Sequence, residues 1–371
     1  MKRILFLIFT LSLLLSAKYL SNKDCNECHE GIYNEYQSSY HSKGFLNDEL
    51  HRKVANKVST KKYDCASCHM PAANNLQDLV DGKARPDKNN VTHRDAVGCF
   101  FCHQITYVKK GHVKNEIILT KQYEGYKPTL YGSLEDPEES DKHTMTHSPI
   151  FRKYACTGCH SHKRNGNDVL IFDAMGKNDD STECIKCHMS EVAGKVEDMD
   201  KKSRKVHHSH KFLGIHDKEF RKKSLDISLK VKHNTLILKL KNKMPHPLII
   251  QASRLKYIKL TQKRAGKVIW QNFKNSPLED KKTSFHIEFL DKHGKEMAIP
   301  ATAVKRGVVN NIGAKKLKTL KYKLPSIKHG DVIEASLYLL LVKPSCRGTL
   351  TFKSKALTKP TLVKTTKLIV K

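Results

Sequence analysis

Beyond its first seventeen residues this 371-residue chain has no apolar run of the roughly 20 residues that a helix needs to cross a bilayer. Acidic side chains are also scarce: 37 Asp and Glu stand against 68 Lys and Arg, giving a formal charge of +31. Only twelve of those bases are Arg; the others are Lys. A balance this one-sided favours acidic partners, anionic substrates or an anionic membrane surface, unless it only reflects Lys written at every exposed position. After residue 220 the only cysteine is Cys346, so no disulfide framework holds that part together.

The other ten cysteines are all spent on one pattern. Cys25-Asn26-Glu27-Cys28-His29, Cys65-Ala66-Ser67-Cys68-His69, Cys99-Phe100-Phe101-Cys102-His103, Cys156-Thr157-Gly158-Cys159-His160 and Cys184-Ile185-Lys186-Cys187-His188 are five Cys-x-x-Cys-His motifs. Two thiols three residues apart form thioethers to the two vinyl groups of one haem, and the next residue turns its imidazole onto the iron. Structural zinc pairs two Cys-x-x-Cys knuckles, or one knuckle with a separated His pair, and has no need of a His after every second Cys. The pattern therefore predicts five covalently bound c-type haems, with Cys25, Cys28, Cys65, Cys68, Cys99, Cys102, Cys156, Cys159, Cys184 and Cys187 as attachment points. His29, His69, His103, His160 and His188 are the predicted proximal ligands.

Met1-Lys2-Arg3 and the apolar stretch to Ala17 have the charged start and hydrophobic body of a secretory signal. The expectation is a signal peptide over 1–17, with an uncleaved anchor as the lesser alternative, and a periplasmic or extracellular protein. Nucleic-acid binding is excluded by that location in spite of the charge. Each haem brings two propionates and a ferric core, about minus one in all, so five would lower the charge to about +26.

The motifs begin at residues 25, 65, 99, 156 and 184. So few residues per cofactor cannot bury five porphyrins separately, so the haems must form the core themselves and lie close together. Sixteen histidines lie outside the motifs, and five would make every iron six-coordinate. Ile32, Tyr36 and Tyr40 recur at helical spacing and predict a helix from Gly31 to Ser42. His41 at its end is too far along, roughly 18 Å from His29, to reach its own haem and should ligate another. His93, six residues before Cys99, is a further candidate. His143 and His147 stand i, i+4 on a predicted helix, and His147 is the preferred ligand. His210 and His216 are the candidates from the His-rich stretch 206–216. Met70 and Met189 follow proximal histidines and are read as packing residues; Met145 is a lesser ligand candidate.

Cys25–His29 running into Tyr36-Gln37-Ser38-Ser39-Tyr40-His41, the run Cys65 to Pro71, and His210-Lys211-Phe212-Leu213-Gly214-Ile215-His216 resemble the multihaem cytochromes linked to hydroxylamine oxidoreductase, including that enzyme's tetrahaem electron acceptor. The resemblance covers roughly residues 22–216. It implies a mainly helical domain with parallel-stacked and perpendicular haem pairs, and His41 as a distal ligand. A fifth motif and Tyr36, where Trp is more usual, depart from the pattern. Pentahaem nitrite reductases of the same broad superfamily carry Lys in place of His at the catalytic haem, and this chain has no Cys-x-x-Cys-Lys.

After Lys223 the apolar period becomes two. Leu225 to Val231, Leu236 to Leu240, Leu255 to Leu260, Lys267 to Trp270, Ser284 to Leu290, Leu320 to Leu324, Val332 to Val342 and Leu350 to Phe352 read as strands. The predicted architecture is α+β and multidomain. A mainly α-helical, haem-cored pentahaem domain spans 18–222, and an immunoglobulin-like β-sandwich spans 223–371. Asn242 to Leu248 resembles a loop that points a His at the haem domain in some such cytochromes, which makes His246 a sixth ligand candidate from across the interface. Cys346 is expected as a buried thiol.

Three functions are consistent with the sequence. The first is an electron carrier between redox proteins, with acidic partners, a membrane quinol-oxidising cytochrome or a multihaem enzyme as the candidates. The second is an oxidoreductase acting on a small nitrogen or sulfur compound at a five-coordinate haem. The third is a subunit of an extracellular haem filament.

Overall fold

The motif half is built of single turns and short strand pairs. A computed structural model describes residues 19–138, 140–175, 182–193, 202, 204–297, 299–347 and 350–371; the apolar leader over 1–17 lies outside them. The mainly α-helical expectation for 18–222 is overturned: helix accounts for 23% of the chain and strand for 30%. Among the described residues of this half the longest helix, Glu49–Val58, has ten residues. Ile105–Lys109 pairs antiparallel with Glu116–Leu119, His162–Arg164 with Leu170–Asp173, and Glu191–Ala193 with Val206–His208.

Helices shorter than about 12 residues hold only when an apolar face packs against something. Here the space beside each motif is left to a cofactor, so the chain has little helical surface to bury. The helix expected around His143 and His147 is instead a strand, Thr144–His147, lying parallel to Thr129–Gly132. Thr144 and Thr146 are β-branched and lose side-chain freedom in a helix, and three or four residues are too few for either period to show in the sequence. The helix expected from Gly31 to Ser42 forms over Glu30–Ser38, which leaves His41 beyond its end.

One buried network knots the first motif to the third. Asp95 accepts from Tyr19 Oη (2.7 Å) and from the Asn22 amide (2.9 Å), while its carbonyl accepts from Tyr36 Oη at 2.7 Å. Asn22 in turn accepts from the Cys99 amide at 2.9 Å. A Cβ on Gly98 would sit 2.6 Å from Asn22 Oδ1, so this approach needs glycine.

The second half alternates as its period-two pattern requires. Leu225–Lys232, Thr235–Asn242 and Leu317–Lys323 form an antiparallel sheet with Thr235–Asn242 in the middle. A larger sheet runs in the order Lys305–Asn310, Ser284–Leu290, Leu255–Arg264, Val332–Leu340, Thr361–Ile369, with Lys267–Gln271 also paired to Leu255–Arg264. Ala265 and Gly266, at φ +47° and +79°, make the tight turn of that last hairpin. Leu236, Leu238 and Leu240 from one sheet and Phe285, Ile287, Phe289, Ile333, Ala335 and Leu337 from the other share a single core. The strands Lys305–Asn310 and Thr361–Ile369 were not foreseen, because Lys and Thr dilute their alternation, and Leu350 to Phe352 is not a strand.

The two halves are joined by packing and by hydrogen bonds. Val169 of the first half enters the sheet core, and Leu50 packs with Ile299, Val342 and the buried Cys346. Asn165 Nδ2 donates to the carbonyls of Pro300 (2.9 Å) and Ala303 (2.7 Å). Glu49 accepts from the amides of Lys353 (2.7 Å) and Ser354 (3.0 Å).

Phe285 is fully buried between the sheets. Phe285→Ala should lower unfolding free energy by about 3–5 kcal/mol, read as a fall in the urea midpoint.

Candidate functional site

Each motif closes one helical turn. The amides of His29, His69, His103 and His160 donate to the carbonyls of Cys25, Cys65, Cys99 and Cys156 at 2.9, 3.0, 3.0 and 2.9 Å. A four-residue reach puts the first thiol and the imidazole on one face, which is the geometry for gripping a porphyrin at its edge and its metal. The fifth motif lies on the helix Thr182–His188. All eleven cysteines are free of disulfides.

All ten motif cysteines and all five motif histidines line one continuous cavity of about 2590 Å³. An ordinary small-molecule pocket reaches at most about 1,000 Å³. Thiols of different motifs meet across it: a contact with Cys25, and then burial, raise the Cys99 thiol, and Cys68 touches Cys159. Burial pushes the Cys102 thiol up to about 12.

The imidazoles suit metal ligation. A ligating His usually donates its second N–H to a fixed acceptor, which sets the tautomer and aims the other nitrogen. His103 Nδ1 contacts the Tyr131 carbonyl at 2.7 Å, and His188 Nδ1 contacts that of Leu213. His210 Nδ1 contacts the His208 carbonyl, and His246 Nδ1 that of Pro247, both at 2.9 Å. Burial draws His41 and His69 down to about 3, and His210, His216 and His246 to about 4. Uncharged rings at neutral pH are what a metal requires.

Non-motif histidines stand opposite motif histidines. His29 and His143 have ring centres 6.3 Å apart and planes 30° apart; for His103 and His210 the values are 6.4 Å and 20°, and for His41 and His160 5.9 Å and 55°. His51 lies 4.8 Å from His69, and its Nδ1 is held at 2.6 Å by Asp48. His246 is near enough to His188 for that ring to oppose protonation of His246, after burial and against the bond to Pro247.

Other sequence candidates are elsewhere. His93 accepts from the Asp87 amide at Nδ1 (2.9 Å) and contacts Asn75 at Nε2 (2.7 Å), so both ring nitrogens are engaged away from the cavity. His147 is exposed and bonded to the Leu134 carbonyl. His216 lines the cavity but stacks on Tyr40, with centres 3.5 Å apart. Sequence reasoning prefers the neighbour of His143 and misses His51 altogether. The signal for His51 was Asp48 three residues before it, capping the helix Glu49–Val58 and holding both the His51 amide and its ring.

Residues 24–115 match the family model for cytochrome c554 and c-prime. The fold of the whole chain is similar to that of a penta-heme cytochrome c552 from Thermochromatium tepidum, at 23% identity and a TM-score of 0.71, with 95% of this chain and 99% of that one covered. No curated protein matches. The motifs, the family segment and the dry, neutral imidazoles agree on covalently bound c-type haem as the cofactor and electron transfer as its use. Among the described residues no helix is long and apolar enough to cross a membrane.

The neutral histidines fix the pH response. His41, His210 and His246 have folded values far below the roughly 6.5 of an unfolded His, so they stabilise the fold fully above about pH 6.5. As pH falls below 6.5 the unfolded chain takes up protons that the folded one refuses. The urea midpoint of the holoprotein should decline steadily from about pH 6.5 toward pH 4.

Proposed function

We propose that this is an exported pentahaem c-type cytochrome that passes electrons between redox partners along closely packed haems. The observation that carries the proposal is the single cavity into which all five motifs face. The structurally similar cytochrome c552 is described as penta-heme, in keeping with a count of five. Residues 18–222 form the haem-bearing part on this reading, and 223–371 close its wall.

The histidine pairs support bis-imidazole coordination. Two rings on one iron, each with its nitrogen about 2 Å from the metal, have centres about 6 Å apart. The spacings of His29 with His143, His103 with His210 and His160 with His41 agree with that figure. His246 is assigned to the iron of His188 by proximity, and His51 to that of His69, where the 4.8 Å between the rings must open by about 1 Å to admit a metal. Saturated irons favour a carrier over a catalyst, because no coordination position is left for a substrate. Haem supplies one-electron chemistry; the chain's part is to hold the imidazoles neutral and exclude water.

Export to the periplasm or beyond follows from the apolar leader and from the covalent haem chemistry. The excess of Lys favours acidic redox proteins as partners, a membrane quinol-oxidising cytochrome or a multihaem enzyme among them.

Two measurements decide the reading. Intact-mass analysis of the mature protein should show five haem adducts, and a smaller number would sink the pentahaem assignment. His143→Ala should convert one haem from low to high spin by electron paramagnetic resonance, whereas His147→Ala should leave every haem low-spin. The opposite result would restore His147 as the ligand.

A further inference from the structure

Two buried cations and a half-buried one line the cavity where the sheet half meets the motif half. Arg254 (6% exposed) precedes the strand Leu255–Arg264, Lys256 (8% exposed) is that strand's second residue, and Arg221 lies on the helix Lys218–Lys222. Their hydrogen bonds go to uncharged oxygens. Arg254 Nε donates to Gln251 Oε1 at 3.0 Å, Lys256 Nζ to the Leu248 carbonyl at 3.1 Å, and Arg221 Nη1 to the Ile215 carbonyl at 3.3 Å. Arg254 Nη1 and Arg221 Nε are buried with no partner among the described residues. Within 4.0 Å none of the three has a carboxylate among the described residues. Asp48, the acid whose field reaches Arg254, is engaged by the ring and amide of His51.

Such a cluster opposes its own burial. Burial first, then Arg254 and Arg221, bring Lys256 down to about 8, and burial brings Arg254 to about 10. Like charges out of water are retained only where an anion offsets them. A guanidinium fork with a free Nη1 matches the two oxygens of a carboxylate or a small oxyanion.

We propose that Arg221, Arg254 and Lys256 form an oxyanion clamp on the wall of the haem cavity, filled by a propionate of a bound haem or by a dissolved anion. The clamp rests on the haem reading for its first source and on charge alone for its second. A propionate held there has its charge neutralised, which raises the potential of its haem, since the net charge around an iron is one of the terms that set it.

The test uses the full-length holoprotein, with haem adducts counted by mass in every variant. Wild type, R254Q, R254K and K256M are compared by spectroelectrochemical titration and by titration of the oxidised protein with nitrite and with sulfite. For a propionate, the midpoint of one haem falls in R254Q and K256M and is partly restored in R254K, while neither anion perturbs the wild-type spectrum. For a dissolved anion, wild type gives a saturable spectral change that R254Q weakens roughly tenfold or more. Midpoints and anion responses identical to wild type in R254Q and K256M overturn the clamp. If R254Q does not accumulate, K256M carries the same comparison. A wild-type count below five haems ends the pentahaem reading but leaves the comparison intact for the haems present.

Discussion

One covalent constraint shapes the first half of this protein: two thiols and an imidazole must sit within a single helical turn, five times over. The turn is short, since the His amide need only reach back to the first Cys carbonyl. Past each turn the backbone is free to vary: a helix follows the first two motifs and a short strand each of the other three. With the cofactors supplying the apolar interior, the chain's own buried clusters in this half are small and scattered, whereas the second half gathers its apolar residues into one core. The same constraint leaves side-chain packing little say in this half's secondary structure and gives it nearly full control in the other.

The constraint also sets the electrostatics. A cavity that tightly packed porphyrins can fill is a dry one, and dryness alone accounts for most of the depression at His41, His69 and His210. Neutral imidazole is the ligating form, so burial serves ligation before any specific contact is made. Fixed carbonyl acceptors then select the tautomer at His103, His210 and His246. The low local dielectric and these hydrogen bonds act in the same direction, toward neutral imidazoles of fixed tautomer, the form that ligates a metal.

What the sequence disclosed divides along locality. The five motifs are contiguous strings, and their chemistry needed no fold to be read. The place of His41 beyond a local helix was legible, and its ring stands 5.9 Å from that of His160, in another motif. That His143 rather than His147 faces a motif histidine was not legible, because it depends on whether Thr144-Met145-Thr146 coils or extends, and that is settled by pairing with residues 129–132. His93 looked well placed by sequence distance to Cys99, yet Asp87 and Asn75 occupy both its ring nitrogens. The alternating strands of the second half were readable wherever Leu, Ile and Phe marked the inner face, and were lost where Lys and Thr did not. The helical expectation for the first half came from the resemblance and not from periodicity, and the strand pairs set between the motif turns overturn it.

The second half therefore supplies part of the cavity wall. His246 and the pair Arg254 and Lys256 reach the cavity from the ends of its strands, and Glu49 and Asn165 fasten the two halves together by bonds to backbone. A sheet is stiffer than the loops around the motifs, because its central strands pair without a register shift, from Leu255 opposite Leu340 to Lys263 opposite Val332. Charges mounted on such a frame hold their positions on the cavity wall, so the field they exert inside it is fixed. Cations carried on the mobile surface Lys residues that make up most of the +31 would instead be screened by salt, and would act mainly on the approach of a partner.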